Sequence, residues 1–527
     1  MLLKGHSPWP DLPLRDGLNL SLFSLTVEEA FLFRGHSVLC VTVTAPTTAE
    51  LRRKRDEVAG ADMVELRMDT VCDPDVAGAL QGRRLPAIVT CRPEWEGGQF
   101  RGSEERRRAI LRQALALGAE YVDVEWRANF DDIISSTAGR RVVLSNHDFD
   151  GVPSDLASRA AAMRATGAEI VKLAVKTARL GDCLPLLELA GRRAGQGGQD
   201  SQGDLVLIGM GECGLATRVL PGKFGSRWTY AGLERHVGQV TPSELLDLYR
   251  FRSVTAATAL YGLVGLPVSH SVSPAMHNAA FGTTGLDAVY LPLPAADAAD
   301  FMTFARAIGV RGASVTIPYK VALRDLVDEA DAVASRVGAV NTVRAIDGRW
   351  AGGNTDAAAF LRPLRERMRL KDARVAVLGA GGSARAVLAA LTDTGARVTV
   401  HARNRARAGE VATPAGASVG PLPPAAGSWD VLVNCTPVGM YPGADASPID
   451  EAALSGPPGR LVYDLVYNPA NTKLLCAAAG VGCGTIGGLE MLVGQAVEQF
   501  EWWTGVKAPA DVMRQAASKR LAEFTLS

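Results

Sequence analysis

Residues 169–176 read "EIVKLAVK". Ile170, Val171, Leu173, Ala174 and Val175 describe a strand that is apolar on both faces, yet Lys172 stands in its middle. Lysine is almost never fully buried without a partner, because its ammonium group loses hydration that it cannot easily recover. A strand apolar on both faces belongs to a parallel sheet covered on both sides. The fold turns on how many such strands surround this one, and the chemistry turns on what the lysine does among them.

Similar runs lie on either side. They are "VLCVTVTA" (38–45), "MVELRMD" (63–69), "PAIVTCR" (86–92), "YVDVEWR" (121–127), "VVLSNHD" (142–148), "IVKLAVK" (170–176), "LVLIGMG" (205–211) and a weaker "WTYAGL" (228–233). Helix-like stretches such as "TAELRRKRDEVAG" and "SEERRRAILRQALALG" separate them. Eight strand–helix units in roughly 215 residues predict a (β/α)₈ barrel. Chemistry in a barrel belongs at the C-terminal strand ends, where several strands serve one pocket. Glu65, Arg67, Arg92, Glu125, His147, Lys172 and Arg218 all fall on or just after these strands. Each alone has a structural explanation, such as an ion pair or a satisfied core histidine. Together they would cost too much to bury without a function.

Lys172 then has a use. Desolvation and neighbouring arginines would disfavour its ammonium form and free a nucleophilic amine. Such an amine condenses with a ketone to an iminium, which acidifies the adjacent C–H. His147 can remove that proton and later protonate a leaving hydroxyl, while Arg92 and Arg218 offer planar forks to a substrate carboxylate. Elimination of water from a carboxylated hydroxy-ketone is the reaction class expected.

"VELRMDT", "TCRPEWEGG", "SNHDFD" and "IVKLAVK" occur in order, and over about residues 37–252 the chain resembles type I 3-dehydroquinate dehydratase, a Schiff-base barrel enzyme. The resemblance implies Lys172 as the imine lysine, His147 as general acid/base and Glu125 as the acid that orients the histidine. It implies Glu65, Arg67, Arg92 and Arg218 as substrate contacts. The family's lid usually reads Ser-Ala-Pro-Gly-Gln, where this chain has Arg235-His236-Val237-Gly238-Gln239. Gln239 keeps its place, while an arginine stands where the family has serine. The Gly/Gln-rich "AGQGGQDSQGD" (194–204) is expected to be a loop inside the barrel.

A boundary is expected near 253–258. Further on, "ARVAVLGAGGSARAVLAAL" gives a strand, then Gly379-Ala380-Gly381-Gly382-Ser383-Ala384, then an alanine-rich helix. In that setting a Gly-x-Gly-x-x-Ala turn binds a dinucleotide pyrophosphate at a helix N-terminus. An NAD site usually shows a carboxylate after the next strand. Here that strand runs into "VTVHARNRARA", with Arg403, Arg405 and Arg407, which favours the 2′-phosphate of NADP. The flanks add "GLPVSHSVSPAMHNAAF", with Ser271 and Ser273 before a Pro-initiated helix suited to an anion. They also add Lys320 in "SVTIPYK", Asn341 in "GAVNTV" and Asp356 in "GGNTDAAAF".

That ordered set, extended by "NCTPVGMYPG", "DLVYNPANTKLL" and "GGLEMLVGQAVEQFEWWTG", resembles shikimate dehydrogenase from about 259 to 523. The resemblance implies that Lys320 and Asp356 protonate the carbonyl oxygen as hydride arrives. It implies that Ser271 and Ser273 hold the carboxylate, that Thr316, Asn341, Tyr467 and Gln495 line the ring hydroxyls, and that Arg403, Asn404 and Arg407 clasp the 2′-phosphate.

The expected architecture is α/β throughout, with an extension of unknown role (1–36) ahead of a TIM barrel (37–252). A dehydrogenase-like substrate domain (259–358), an inserted Rossmann NADP-binding domain (359–487) and C-terminal helices returning to the substrate domain (488–523) follow. The whole resembles the fused dehydratase–dehydrogenases of aromatic amino-acid biosynthesis, in the domain order of the plant enzymes. It implies dehydration of 3-dehydroquinate followed by NADPH-dependent reduction to shikimate. Rival readings are a catalytically silent pathway sensor or repressor, a quinate-preferring dehydrogenase half, and an aldolase-type barrel. Lys+Arg and Asp+Glu both number 56, so nothing points to nucleic acid. No apolar run suggests a membrane span or secretory signal, and no metal site is expected. Eight cysteines without a Cys-x-x-Cys pair fit reduced thiols in the cytoplasm. The partners expected are small molecules, with the chain a monomer or homodimer.

Overall fold

The computed structural model describes residues 37–194, 204–233 and 239–526. The first sheet contains β1 (Val38–Val43), β2 (Met63–Arg67), β3 (Ala87–Thr90), β4 (Tyr121–Glu125), β5 (Val142–Asp148), β6 (Ile170–Lys176), β7 (Leu205–Met210) and β8 (Trp228–Gly232). Neighbours pair in the order β7-β6-β5-β4-β3-β2-β1-β8, every pair parallel. The short β8 earns its place by pairing with β1 from Val38–Trp228 to Thr42–Gly232. Across the remaining gap, Arg227 donates its backbone N–H to the Leu205 carbonyl at 2.8 Å and Ser226 Oγ accepts from Leu207 N at 2.9 Å. The sheet is a nearly closed parallel α/β barrel, as the apolar runs predict. The 194–204 loop falls almost wholly outside the described residues.

A mixed sheet follows, made of β9 (Ala259–Gly265), β10 (Ala288–Pro294), β11 (Val310–Val315), β12 (Glu329–Ala330), β13 (Thr342–Ile346) and β14 (Arg349–Gly353), in the order β10-β9-β11-β13-β14-β12. β13 and β14 form a hairpin whose turn, Asp347-Gly348, has φ of 49° and 80°. Two positive φ values are what a two-residue hairpin needs to match strand twist, and Asp-Gly supplies them at low cost.

The third sheet is wholly parallel. It contains β15 (Arg374–Leu378), β16 (Arg397–His401), β17 (Ser418–Gly420), β18 (Val431–Asn434), β19 (Leu461–Asp464) and β20 (Gly484–Ile486), in the order β17-β16-β15-β18-β19-β20. Counted within this sheet, that is 3-2-1-4-5-6, the doubly wound dinucleotide-binding order with its switch point at β15. The helix Gly488–Thr504 then returns to the mixed sheet, where Gln499 Oε1 accepts from Ser314 Oγ at 2.5 Å and Trp503 Nε1 donates to the Val343 carbonyl at 3.1 Å. One apolar core runs from the barrel into the mixed sheet, from Leu39 to Phe301 and Trp350. Among the described residues no helix is long and apolar enough to cross a membrane, and the eight cysteines form no disulfide.

Candidate active sites

Alternation along β4 puts Asp123 and Glu125 on one face, into the barrel, and both are fully buried. Register places Glu125 beside Ser145 of β5 and Ser145 beside Lys172 of β6, so one row of the barrel carries all three. Lys172 is 5 % exposed. Its Nζ donates to Asp123 Oδ2 at 3.1 Å, stands 3.6 Å from Glu65 Oε1 and lies 4.3 Å from the centre of the Tyr230 ring. The arginines expected around this amine are thus not its direct contacts. Two carboxylates and an aromatic face are, because Asp123 and Glu65 stand between Lys172 and the cations of neighbouring strands. Burial works to raise the Glu65 pKa, but Lys172 and Arg67 prevail and hold it below the usual range, while Thr42 and Thr90 donate to its two oxygens at 2.7 and 2.8 Å.

Two sequence-based assignments need correction. Glu125 does not touch His147. Its oxygens accept from Arg92 Nη1 at 2.8 Å and from Arg107 Nη1. Register explains this, because Glu125 lies opposite Ser145, two residues below His147. The acid at the histidine is Glu96, from the turn after β3. Its Oε1 accepts the His147 backbone N–H at 2.9 Å and sits 3.1 Å from Nδ1. This glutamate lies within "TCRPEWEGG", where nothing in its spacing marks it as the histidine's partner. Burial pushes the Glu96 carboxyl up to about 7, against the opposing pull of Arg92. Burial, with Arg92 and Lys172 nearby, holds His147 well below its ordinary value, so the ring is neutral near pH 7.

Arg92 is not a free fork either. It donates to Asp123 Oδ1 at 2.9 Å, to Glu125 and to Ser145 Oγ at 2.7 Å, and so is already neutralised. Arg218, by contrast, is buried in the short helix after β7 with one long bond, 3.4 Å, to the Tyr230 carbonyl and no carboxylate partner among the described residues. Burial alone pushes its pKa down to about 10. Arg67 grips Asp69 through two bonds, 2.9 and 2.7 Å. Gln239 is exposed, and Arg235–Gly238 lie outside the described residues.

The second site is a cleft of about 540 Å³ bounded by the mixed sheet and by Ser383 of the third sheet's first helix. Lys320 Nζ donates to Asp356 Oδ2 at 2.6 Å. Asn341 Nδ2 donates to Asp356 Oδ1 at 2.8 Å, and Asn341 Oδ1 accepts the Thr355 N–H at 2.8 Å, so both carboxylate oxygens are fixed. Ser271 caps the next residues by accepting the Ser273 N–H at 3.1 Å, and the Pro-initiated helix Ser273–Thr284 follows. Both serines line the cleft, as do Thr316, Tyr467 and Gln495. Gln499, unmarked by sequence analysis, donates to Gln495 Oε1 at 2.5 Å and to the Asn341 carbonyl at 3.2 Å, tying these residues together.

The turn after β15 fits a dinucleotide. Gly379 has φ 106°, where a side chain would be strained, and a Cβ there would lie 3.0 Å from Thr436. A Cβ on Gly381 or Gly382 would meet no atom of the chain within 4 Å, leaving open space over the N-terminus of the helix Gly382–Thr392. Ala380 is half-buried, and buried Ala384 packs that helix onto the sheet. After β16, Asn404 caps the next helix by accepting the Arg407 N–H at 3.0 Å. Arg403, Arg405 and Arg407 are exposed and form no ion pair with a described residue. An unneutralised basic cluster beside the glycine turn suits a phosphorylated ribose.

Known proteins carry the same combination. The type I 3-dehydroquinase family model matches residues 39–256. The shikimate dehydrogenase substrate binding domain matches 263–343, and the shikimate 5'-dehydrogenase C-terminal domain matches 488–517. Over 522 residues the chain is 35% identical to the chloroplastic bifunctional 3-dehydroquinate dehydratase/shikimate dehydrogenase of Arabidopsis thaliana, covering 92% of this chain and 84% of that one. It is 42% identical over 285 residues to the shikimate dehydrogenase (NADP(+)) of Methanopyrus kandleri, 51% of this chain and 98% of the relative. A solved shikimate 5-dehydrogenase from Thermus thermophilus in complex with NADP(H) and shikimate is 35% identical, with a TM-score of 0.46 over 50% of this chain and 99% of that chain. The chain belongs to the family of bifunctional 3-dehydroquinate dehydratase/shikimate dehydrogenases.

Proposed function

We propose that the barrel converts 3-dehydroquinate to 3-dehydroshikimate through an imine on Lys172, and that the second site reduces the product to shikimate. The observation that carries the reading is the buried Lys172 amine, held by Asp123 and Glu65 in a barrel that also contains the unneutralised Arg218. Arg218 takes the substrate carboxylate, which supplies the counter-ion this guanidinium lacks. Lys172, once deprotonated, adds to the ketone, and loss of water gives the iminium. Neutral His147 removes the proton from the adjacent carbon to give an enamine. The enamine expels the β-hydroxyl, which His147 protonates as it leaves, and water then cleaves the imine to release product and amine. One water is lost overall.

In the second site Ser271 and Ser273 receive the carboxylate, and Thr316, Asn341, Tyr467 and Gln495 the ring hydroxyls. Lys320, oriented by Asp356, gives a proton to the carbonyl oxygen. Gly379–Ala384 would hold the pyrophosphate of NADPH and Arg403, Asn404 and Arg407 its 2′-phosphate, and the bound cofactor would supply the hydride. Purified chain given 3-dehydroquinate is expected to generate enone absorbance and then to consume NADPH. No enone with authentic substrate would refute the dehydratase reading. Cytoplasmic residence fits eight cysteines without a disulfide.

Two outcomes follow from the charges. Dehydratase kcat/KM is expected to rise with pH through about 7, as Glu96 ionises, and then to flatten. His147 is already neutral across this range, and ionised Glu96 stabilises the imidazolium that forms when the ring takes its proton. Glu96→Gln is expected to lower the rate on the order of 10²-fold and to remove the inflection; an inflection that persists would assign it to another group. Arg403→Ala is expected to raise the KM for NADPH about 10- to 100-fold, as a charge-assisted phosphate contact is lost, and to leave NADH nearly unaffected. Steady-state kinetics with both nucleotides measures this.

A further inference from the structure

The seam between the barrel and the mixed sheet is fastened at one residue. Asp300, near the start of the helix Ala298–Ile308 that follows β10, is 1 % exposed. Its Oδ1 accepts from Gly181 N at 2.9 Å and Arg179 Nε at 3.0 Å, both in the turn after β6. Its Oδ2 accepts from Leu180 N at 3.0 Å in the same turn, and from Ala296 N at 3.0 Å in its own half. Three of the four donors to this buried carboxylate, two of them backbone amides, thus come from the other catalytic half. Gly181 is shaped to this contact, because a Cβ there would stand 3.1 Å from Oδ1.

The turn leads straight back to the dehydratase chemistry. Asp182 accepts the Ala178 and Arg179 N–H groups at 2.7 and 3.1 Å, and Thr177 donates its N–H and its hydroxyl to the Met210 carbonyl of β7, each at 2.8 Å. Lys176 ends β6, the strand that carries Lys172. A cavity of about 460 Å³ opens here, walled by Thr177 and Met210 of the barrel, by Leu266 and Ala296 of the other half, and by Phe149. The Phe149 ring is stacked on His147, with centroids 6.2 Å apart. Asp300 therefore braces both walls of the opening beside the proposed base.

We propose that Asp300, a residue of the dehydrogenase half, is a positioning residue for the dehydratase, fixing the turn after β6 and with it the placement of Lys172. The proposal rests on the imine reading of the barrel. Misplacement of a reacting group by about 1 Å costs on the order of 10²-fold in rate, so a carboxylate that touches no substrate can still set the dehydratase rate.

The test uses the full chain and reads both activities, with the dehydratase rate expressed per Lys172 that borohydride can trap. Asp300→Ala, which removes all four acceptor contacts, is expected to lower dehydratase kcat per trapped site about tenfold or more, with reductase kcat/KM changed less than about twofold. Asp300→Asn keeps one carbonyl oxygen and is expected to fall between Asp300→Ala and the unaltered chain. Arg179→Ala removes one donor from a half-exposed side chain and is expected to cost about two- to fivefold, again in the dehydratase alone. It keeps the proposal open to refutation if the Asp300 variants do not fold. Equal losses in both activities would make Asp300 a docking contact only and overturn the proposal, as would an unchanged dehydratase rate per trapped site. If the unaltered chain neither dehydrated nor trapped substrate, the imine reading itself would fail, which is a separate result.

Discussion

Lys172→Ala is expected to abolish dehydration, lowering kcat on the order of 10⁴–10⁶-fold, the scale seen when a covalent nucleophile is removed. NADPH-dependent reduction of 3-dehydroshikimate should stay within about twofold, because groups far apart with no shared partner act nearly independently. Stability must be followed alongside. Without the ammonium group, Asp123 and Glu65 lose the cation between them, and breaking a buried ion pair by deleting one partner costs about 3–5 kcal/mol. Lys172→Arg separates the two effects. It keeps a positive charge for the carboxylates, but a guanidinium does not form the imine. That variant should remain folded and still fail to dehydrate. A Lys172→Arg chain that dehydrated at a normal rate would remove covalent catalysis from the account.

The reverse pattern is expected at the second site. Lys320→Ala should slow NADPH oxidation with 3-dehydroshikimate about 10²–10⁴-fold, the usual range for a lost general acid, while enone formation from 3-dehydroquinate continues. Stability must be followed here too. Lys320 is half-buried but Asp356 is buried, so losing the lysine leaves a buried carboxylate with the Asn341 bond alone among the described residues and costs about 1–3 kcal/mol. The loss in kcat should far exceed what the accompanying drop in Tm explains. Asp356→Asn should give a smaller deficit, since Asn341 still holds the remaining carbonyl oxygen in place. Parallel assays on one preparation of each variant, enone absorbance for the first step and NADPH absorbance for the second, measure both activities. Loss of both in either variant would contradict two separate sites.

Much of this was legible in the sequence because burial on both faces writes near-continuous apolar runs, and eight such runs with helices between them admit few folds. Even β8, a short run with a tryptophan and a tyrosine, is held by its ladder to β1. The glycine turn after β15 was equally plain, since positive φ at Gly379 favours glycine there, while the space over Gly381 is left open by the chain and so is room for a ligand. The pairing of charges was less accessible. Which acid meets His147 depends on register and on how the turn after β3 folds back, and neither follows from spacing. Glu125 shares a strand face with Asp123 and lies too deep, whereas Glu96 comes from a turn. Asp123 itself is flanked by two valines in "YVDVE", so its alternation with Glu125 was the one available signal.

The distinction between Arg92 and Arg218 was hidden for the same reason. Both are arginines beside the ends of barrel strands, and only the three-dimensional count of neighbouring acceptors shows one neutralised and the other not. The contacts of Asp300 join residues about 120 positions apart in sequence, beyond any local pattern.

The most direct measurement is reductive trapping. Borohydride added during turnover of 3-dehydroquinate should reduce the iminium, stop dehydration, and leave a stable adduct that mass spectrometry places on the Lys172 peptide and on no other lysine. Full trapping should leave the reductase active. An unmodified Lys172 in enzyme that is turning over normally, or an adduct on a different lysine, would contradict the account.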